Sequence, residues 1–211
     1  MEKITISKDF KGKIFFTSDT HWRHGNIIKY CDRPFVNVQE MDHALIQNWN
    51  KVVSKEDIVF HLGDFAFADK SKWRQIANSL NGTKYLVQGN HDRTDDIPTE
   101  CFEMIRDMLQ IAIYDEELED YSTFIMSHYP LATWAGISRS ICNLHGHIHS
   151  TPDLNGTGFD IVIAKNAPWN QYDVGVDRNN FTPVSYEDLK TIFTKRMLYE
   201  NKSIKGSRKS D

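Results

Sequence analysis

Apolar runs that stop at a glycine or an acid alternate with stretches of helical period over the first ninety residues. Residues 13–17 carry Ile14, Phe15 and Phe16 in succession, the pattern of a strand buried on both faces. Across 39–53 the apolar positions Met41, Ala44, Leu45, Trp49, Val52 and Val53 recur at i, i+3, i+4 and i+8, which predicts an amphipathic helix. A strand over 57–62, a helix over 70–80, a break at Asn81-Gly82 and a strand over 84–88 complete a β-α-β-α-β rhythm. Such a rhythm implies a parallel sheet.

The pattern then changes. Residues 110–114 and 121–126 bracket an acidic turn, and strands over 141–144 and 159–163 follow with few helical stretches between them, so this half is expected to be antiparallel. Ser185 followed by Glu187 and Asp188 marks a helix start, predicting a closing helix over 186–198. The expected organisation is a single domain over 1–200 with a polar, frayed tail over 201–211. Lys202, Lys205, Arg208 and Lys209 in that tail are too scattered to make a nucleic-acid footprint.

Composition narrows the options. The 211 residues, 40% of them hydrophobic, suffice for one well-buried domain, and a net charge of −4 gives no general attraction to polyanions or anionic membranes. No run approaches the roughly 18 apolar residues of a membrane span and no signal-peptide core opens the chain, so a cytoplasmic location is expected. Cys31, Cys101 and Cys142 stand far apart in no Cys-x-x-Cys pairing, which points to reduced thiols.

Candidate chemistry collects where the apolar runs end. Asp19-Thr20-His21, Gly63-Asp64, Gly89-Asn90-His91-Asp92, Ser127-His128 and Gly146-His147-Ile148-His149 all offer oxygen or imidazole donors. Those donors suit divalent ions such as Mn²⁺, Fe²⁺, Zn²⁺, Co²⁺ or Ni²⁺, and no cysteine accompanies them. In Asp-x-His and His-x-His, residues i and i+2 of an extended segment project to one side, so one strand end presents two donors to one cavity. A lone histidine is more often structural than ligating; five donor blocks in one chain are another matter.

In order and content these blocks resemble the calcineurin-like metallophosphoesterase superfamily, whose pattern is D-x-H, GD, GNH[DE], a lone His and GH-x-H. The resemblance covers residues 19–149 and implies a four-layer α/β/β/α sandwich with two mixed sheets flanked by helices. It implies that Asp19, His21, Asp64 and His149 hold one divalent ion, and Asp64, Asn90, His128 and His147 a second, with Asp64 bridging. Mn²⁺ is the first choice of metal. A hydroxide held between the metals would attack phosphorus in line, His91 would protonate the leaving oxygen, and Asp92 would orient His91.

Departures from the pattern separate relatives. Protein phosphatases of this superfamily read GD-x-x-D-R-G, whereas here Gly63-Asp64 continues Phe65-Ala66-Phe67-Ala68. Purple acid phosphatases place a ligating tyrosine where this chain has Phe67. The similarity is therefore to small stand-alone phosphoesterases of bacteria and phages. The expected substrate is a small phosphoester, a diester in preference to a monoester. Nucleotides or nucleic-acid ends are within range, and no obligate protein partner is implied. The alternatives are a phosphomonoesterase acting on a small metabolite and a non-catalytic metal-binding scaffold. His24, Arg23 and Arg93 are candidate substrate contacts, Trp22 with Arg23 would narrow or charge the pocket mouth, and Trp134, Trp169 and Tyr172 are candidate base-stacking rings. His61 and His145 are expected to be structural supports.

Overall fold

The computed structural model describes residues 1–151 and 167–207, with side chains to Tyr199. Three strands, β2 (Ile14–Thr17), β3 (Ile58–His61) and β4 (Thr83–Val87), pair in parallel register. Their apolar runs are continuous because each face meets a different core. Ile14, Phe16, Ile58, Phe60 and Val87 belong to one cluster and Phe15, Val59 and Leu86 to another. The second cluster is completed by helices α1 (Ile27–Tyr30), α2 (Val38–Val52) and α3 (Lys70–Ser79), which supply Ile27, Met41, Leu45, Trp49, Trp73 and Ile76.

Both longer helices start where short polar side chains stop the chain from extending. Asn37 accepts the amide of Glu40, whose carboxylate accepts the amide of Val36 in return, and Asp69 accepts the amide of Lys72. Short β5 (Met104–Arg106) extends this sheet in parallel beyond β4.

The other sheet has the order β1-β6-β7-β8-β9, built from β1 (Glu2–Ile6), β6 (Met108–Asp115), β7 (Asp120–Ser127), β8 (Cys142–His145) and β9 (Gln171–Asp173). Here the expectation of an antiparallel second half is corrected. Among the described strands of this sheet, only β6 and β7, joined by the acidic turn, are antiparallel; β1–β6, β7–β8 and β8–β9 are parallel. Long connections carry the chain back after β7 and β8, and this leaves the C-terminal ends of β7, β8 and β9 on one edge. The strand expected over 159–163 lies outside the described residues. β1 had no sequence signal, since all its residues but Ile4 and Ile6 are exposed and its place depends on pairing with β6.

The inner faces of the two sheets meet in the first cluster, where Leu109, Ile111, Phe124, Met126 and Leu144 pack on the β2–β4 residues. β10 (Val184–Ser185) adds an antiparallel edge to β2 and leads into α4 (Tyr186–Ser207). The predicted cap is present: Ser185 Oγ accepts the amide of Asp188 and donates to its carboxylate. Leu189 and Phe193 carry α4 into the inter-sheet core, and the helix runs nine residues past its expected end at Leu198. The architecture is thus two mixed sheets flanked by helices.

Candidate metal centre

β2, β3, β4, β7, β8 and β9 each deliver a polar loop to the same edge. Backbone bonds lock these loops together: Asp19 N donates to Gly63 O, His21 N to Asp64 O, Gly146 N to His128 O and Val176 N to Ser18 O. Five donor-bearing residues, Asp19, His21, Asp64, His147 and His149, have φ between 44° and 72°. Non-glycine residues rarely adopt the left-handed region, and such strain concentrates where function holds a chain in place. Gly63 has φ of 100°, and a Cβ there would meet His128 Nδ1 at 2.6 Å and Gly89 Cα at 2.7 Å. That close approach lets the Asp64 loop lie against the other two.

Two donor groups result. Asp19, His21 and His149 form one and Asp64, His128 and His147 the other, the ligand atoms in each lying within 4.8 Å of one another. Asp64 Oδ2 is 3.5 Å from His21 Nε2 and 3.5 Å from His128 Nε2, so one oxygen reaches both groups. Asn90 Oδ1 completes the second group, 2.9 Å from His128 Nε2.

The residues fit divalent ions. His21 Nε2 is buried and has no hydrogen-bond partner among the described residues. Two other ligand rings are tied by the nitrogen that would not face a metal: His128 Nδ1 donates to Leu62 O and His149 Nδ1 to Asp177. This leaves each Nε2 facing the site, where a metal would replace its proton, the usual orientation of metal-binding histidine.

Charge is arranged to match. Burial pushes the Asp19 carboxyl up to about 6 and the His21 imidazole down to about 2. Burial also opposes charge on His128, yet its hydrogen bond with Asp64, with help from Asp19, lifts it to about 9. Despite its own burial, Asp64 is held well below the usual carboxylate range by His128, His21 and the His91 amide. Without metal, protons occupy the place of cations.

Asp177 and Arg33 went unrecognised in the sequence. Buried Arg33 makes a two-pronged pair with Asp177, Nε to Oδ1 at 2.8 Å and Nη2 to Oδ2 at 2.9 Å, and donates to the carbonyls of Asp19 and Thr20. One chain of contacts therefore fixes His149 and the Asp19 loop. The only sequence signal was an acid that closes the apolar stretch Val174-Gly175-Val176, as acids close the other apolar runs. Neither donor group contains a cysteine; Cys31 Sγ lies outside both, within 4.8 Å of donor atoms of His149 and Asp177.

Other expectations shift. Asp92 does not orient His91: its carboxylate accepts the amides of Asp64, Phe65 and Gly89, all at 2.8 Å, so it braces two ligand loops. The exposed His91 ring stands edge-on to His21 with centroids 5.6 Å apart. Trp22 does not narrow the mouth but is fully buried against Phe65 and Trp49. Arg23 leans on Asp42 of α2, 3.7 Å away, and Arg93 lies 3.5 Å from Asp96 with its side chain 82% exposed. His24 is near the site, 5.4 Å from His21 by ring centroids. Trp134 and Tyr172 are buried, their polar atoms bonded to Ile141 O and Asn179, which removes them as base-stacking rings. His61 bonds to Thr20 and His145 to Gly146 O inside the fold.

The family model for calcineurin-like phosphoesterases matches residues 12–191. The chain belongs to this family. An uncharacterized protein of Methanocaldococcus jannaschii is 35% identical to this phosphoesterase chain over 177 residues, 83% of the chain and 88% of that protein. The Gene 66 protein of Mycobacterium phage D29 is 26% identical over 65% of the chain and 78% of its own length. Among solved structures, a protein of unknown function from Aquifex aeolicus superposes with a TM-score of 0.64 at 27% identity, covering 86% of this chain and all of its own. Family membership makes this a divalent-metal phosphoesterase fold with candidate ligand groups in place. No helix among the described residues is long and apolar enough to cross a membrane.

Proposed function

We propose that this chain hydrolyses phosphodiesters with two divalent ions, Mn²⁺ foremost, held by Asp19, His21, Asp64 and His149 on one side and Asp64, Asn90, His128 and His147 on the other. The observation that carries the reading is the single Asp64 oxygen 3.5 Å from a histidine of each donor group, the place a bridging carboxylate needs. When bound, such ions polarise phosphoryl oxygens and generate a hydroxide nucleophile near neutral pH.

The chain's own residues do the rest. Asp64 ties both groups to one rigid loop, and its Oδ1 accepts the His91 amide, which fixes where the His91 ring starts. His91 is exposed beside His21 and outside both donor groups, in position to hand a proton to a leaving alkoxide. Asp92 and Arg33 keep the loops in register.

Charge favours the diester. Two divalent ions against Asp19, Asp64 and a hydroxide leave about one positive charge, the counterpart of a diester's single negative charge. Arg33 is fully engaged with Asp177 and adds nothing for the second charge of a monoester. The test compares bis-p-nitrophenyl phosphate with p-nitrophenyl phosphate on chelator-stripped protein reloaded with Mn²⁺. The diester is expected to turn over faster, and Asp64→Asn to lose metal and turnover together. A faster monoester replaces this reading with a monoesterase; silence on both with two metals bound replaces it with a binding scaffold.

A further inference from the structure

A cavity of about 730 Å³ lies away from the ligands, between the β1–β2 connection, the end of β6 and the start of α4. A smaller cleft of about 290 Å³ opens directly beside the centre, with Phe67, Ala68, Asp69, His91, Arg93 and Asp96 on its walls. Phe67 is the unusual member. It is 56% exposed, three residues beyond Asp64, where burial would ordinarily be favoured.

That exposed ring is held in place. The Phe67 amide donates to Trp22 O at 2.8 Å, and the ring stacks on His24 with centroids 4.8 Å apart and planes 22° from parallel. His24 in turn meets the ring of the metal-side His21 at 5.4 Å and the edge of Tyr30 at 6.3 Å. A flat aromatic face is thus braced from behind and left open at the rim. The remaining walls carry two carboxylates, Asp69 and Asp96, against the one guanidinium of Arg93. A second phosphate would be repelled there, whereas ring N–H and amino groups would find acceptors.

We propose that this cleft is a nucleobase subsite and that the phosphoester cleaved here carries a nucleoside on its leaving oxygen. The proposal rests on the phosphoesterase reading above. His91 stands on the cleft wall, so a leaving oxygen that takes its proton carries its nucleoside into the cleft. In the reaction an O–P bond from water forms, the P–O bond to the nucleoside breaks, and the nucleoside oxygen receives the His91 proton, which the attacking water replaces. Stacking on Phe67 accepts any base, and the carboxylates favour those with an amino group.

Binding separates this proposal from the catalytic one. The probes are the singly charged, non-cleavable phosphonate isosteres of the methyl esters of adenosine 5′-phosphate and of ribose 5-phosphate, titrated calorimetrically into Mn²⁺-loaded protein. The adenosine compound is expected to bind roughly tenfold tighter, the scale of one stacked base. Phe67→Ala is expected to bring the ratio to about one with ribose-phosphonate affinity unchanged, and Phe67→Trp to keep it. Equal affinities in the unmodified protein, no binding of either probe, or a ratio that survives Phe67→Ala overturns the subsite. Because no turnover is read, a chain that binds the base but hydrolyses nothing would refute the catalytic reading alone.

Discussion

Asp177 shows how much one unsuspected residue can carry. Its carboxylate accepts His149 Nδ1–H at 2.7 Å while Arg33 grips it from the other side. Removing such an orienting group from a metal-bound histidine typically weakens metal binding 10–100-fold. Asp177→Asn is therefore expected to lower Mn²⁺ affinity by about that factor in a chelator-competition titration; unchanged affinity would show that His149 needs no such support. Arg33→Met is a harsher change, because it strands a buried carboxylate, and a loss of about 3–5 kcal/mol is expected in urea unfolding. His91 and Asp92, adjacent in sequence, should part company. His91→Ala, at an exposed ring, is expected to leave stability within about 0.5 kcal/mol and to spare esters whose leaving group is already acidic. Asp92→Ala leaves three loop amides unpaired, and each buried unpaired amide costs about 1–3 kcal/mol. Equal melting temperatures for the two variants would contradict the bracing role of Asp92.

At the scale of elements, the site depends on strands that end on one edge, and on loops thin enough to touch. Gly63→Ala tests the second condition. Its methyl group would enter the space of His128 Nδ1 and Gly89 Cα at a backbone angle that alanine resists, so soluble protein with less than a tenth of wild-type Mn²⁺ affinity is expected. Full affinity would mean the loops can separate without harm. The strands β2, β3 and β4 were legible to within about two residues because both their faces are apolar and glycine or acid ends them. The donor blocks were legible for the same reason, each being a polar break after an apolar run. What escaped was non-local. β1 is a strand only because β6 accepts it, β8 and β9 are parallel only because long connections return the chain, and Arg33 meets Asp177 across 144 positions. Nor does sequence spacing show that Asp92 turns its oxygens to the backbone instead of to the neighbouring His91. Left-handed angles at five donor residues are equally invisible, since nothing local in Asp or His demands them.

Over the whole molecule, the centre makes the fold a proton-binding device that metal converts. His128 has a folded-state value of about 9 against an ordinary 6.5, so its stabilising charge is fully present below about pH 6.5 and is lost as pH climbs through 9. Asp19 and Asp92 are raised by burial to about 6, so their ionisation penalises the fold above that pH and is relieved as pH falls towards 4. Asp64 and Asp177 are depressed and stay ionised across this range, contributing stability that only stronger acid removes. Buried His21, His61 and His145, depressed by desolvation, act with the opposite sign below about pH 6.5, so the metal-free protein is expected to melt at progressively lower temperature only as pH rises from 7 to 9, where His128 loses its proton. Divalent ions reverse the trend, because they replace the very protons that are being lost, and their apparent affinity must grow with pH. At one hundred times its dissociation constant a ligand adds about 2.7 kcal/mol to the folded state. Thermal melts at pH 5.5, 7 and 8, with and without millimolar Mn²⁺, are expected to show a metal-induced gain that widens at each step. A gain that stays flat with pH would mean that His128 and Asp19 are not the groups that exchange protons for metal, and the two-ion centre would have to be sought elsewhere.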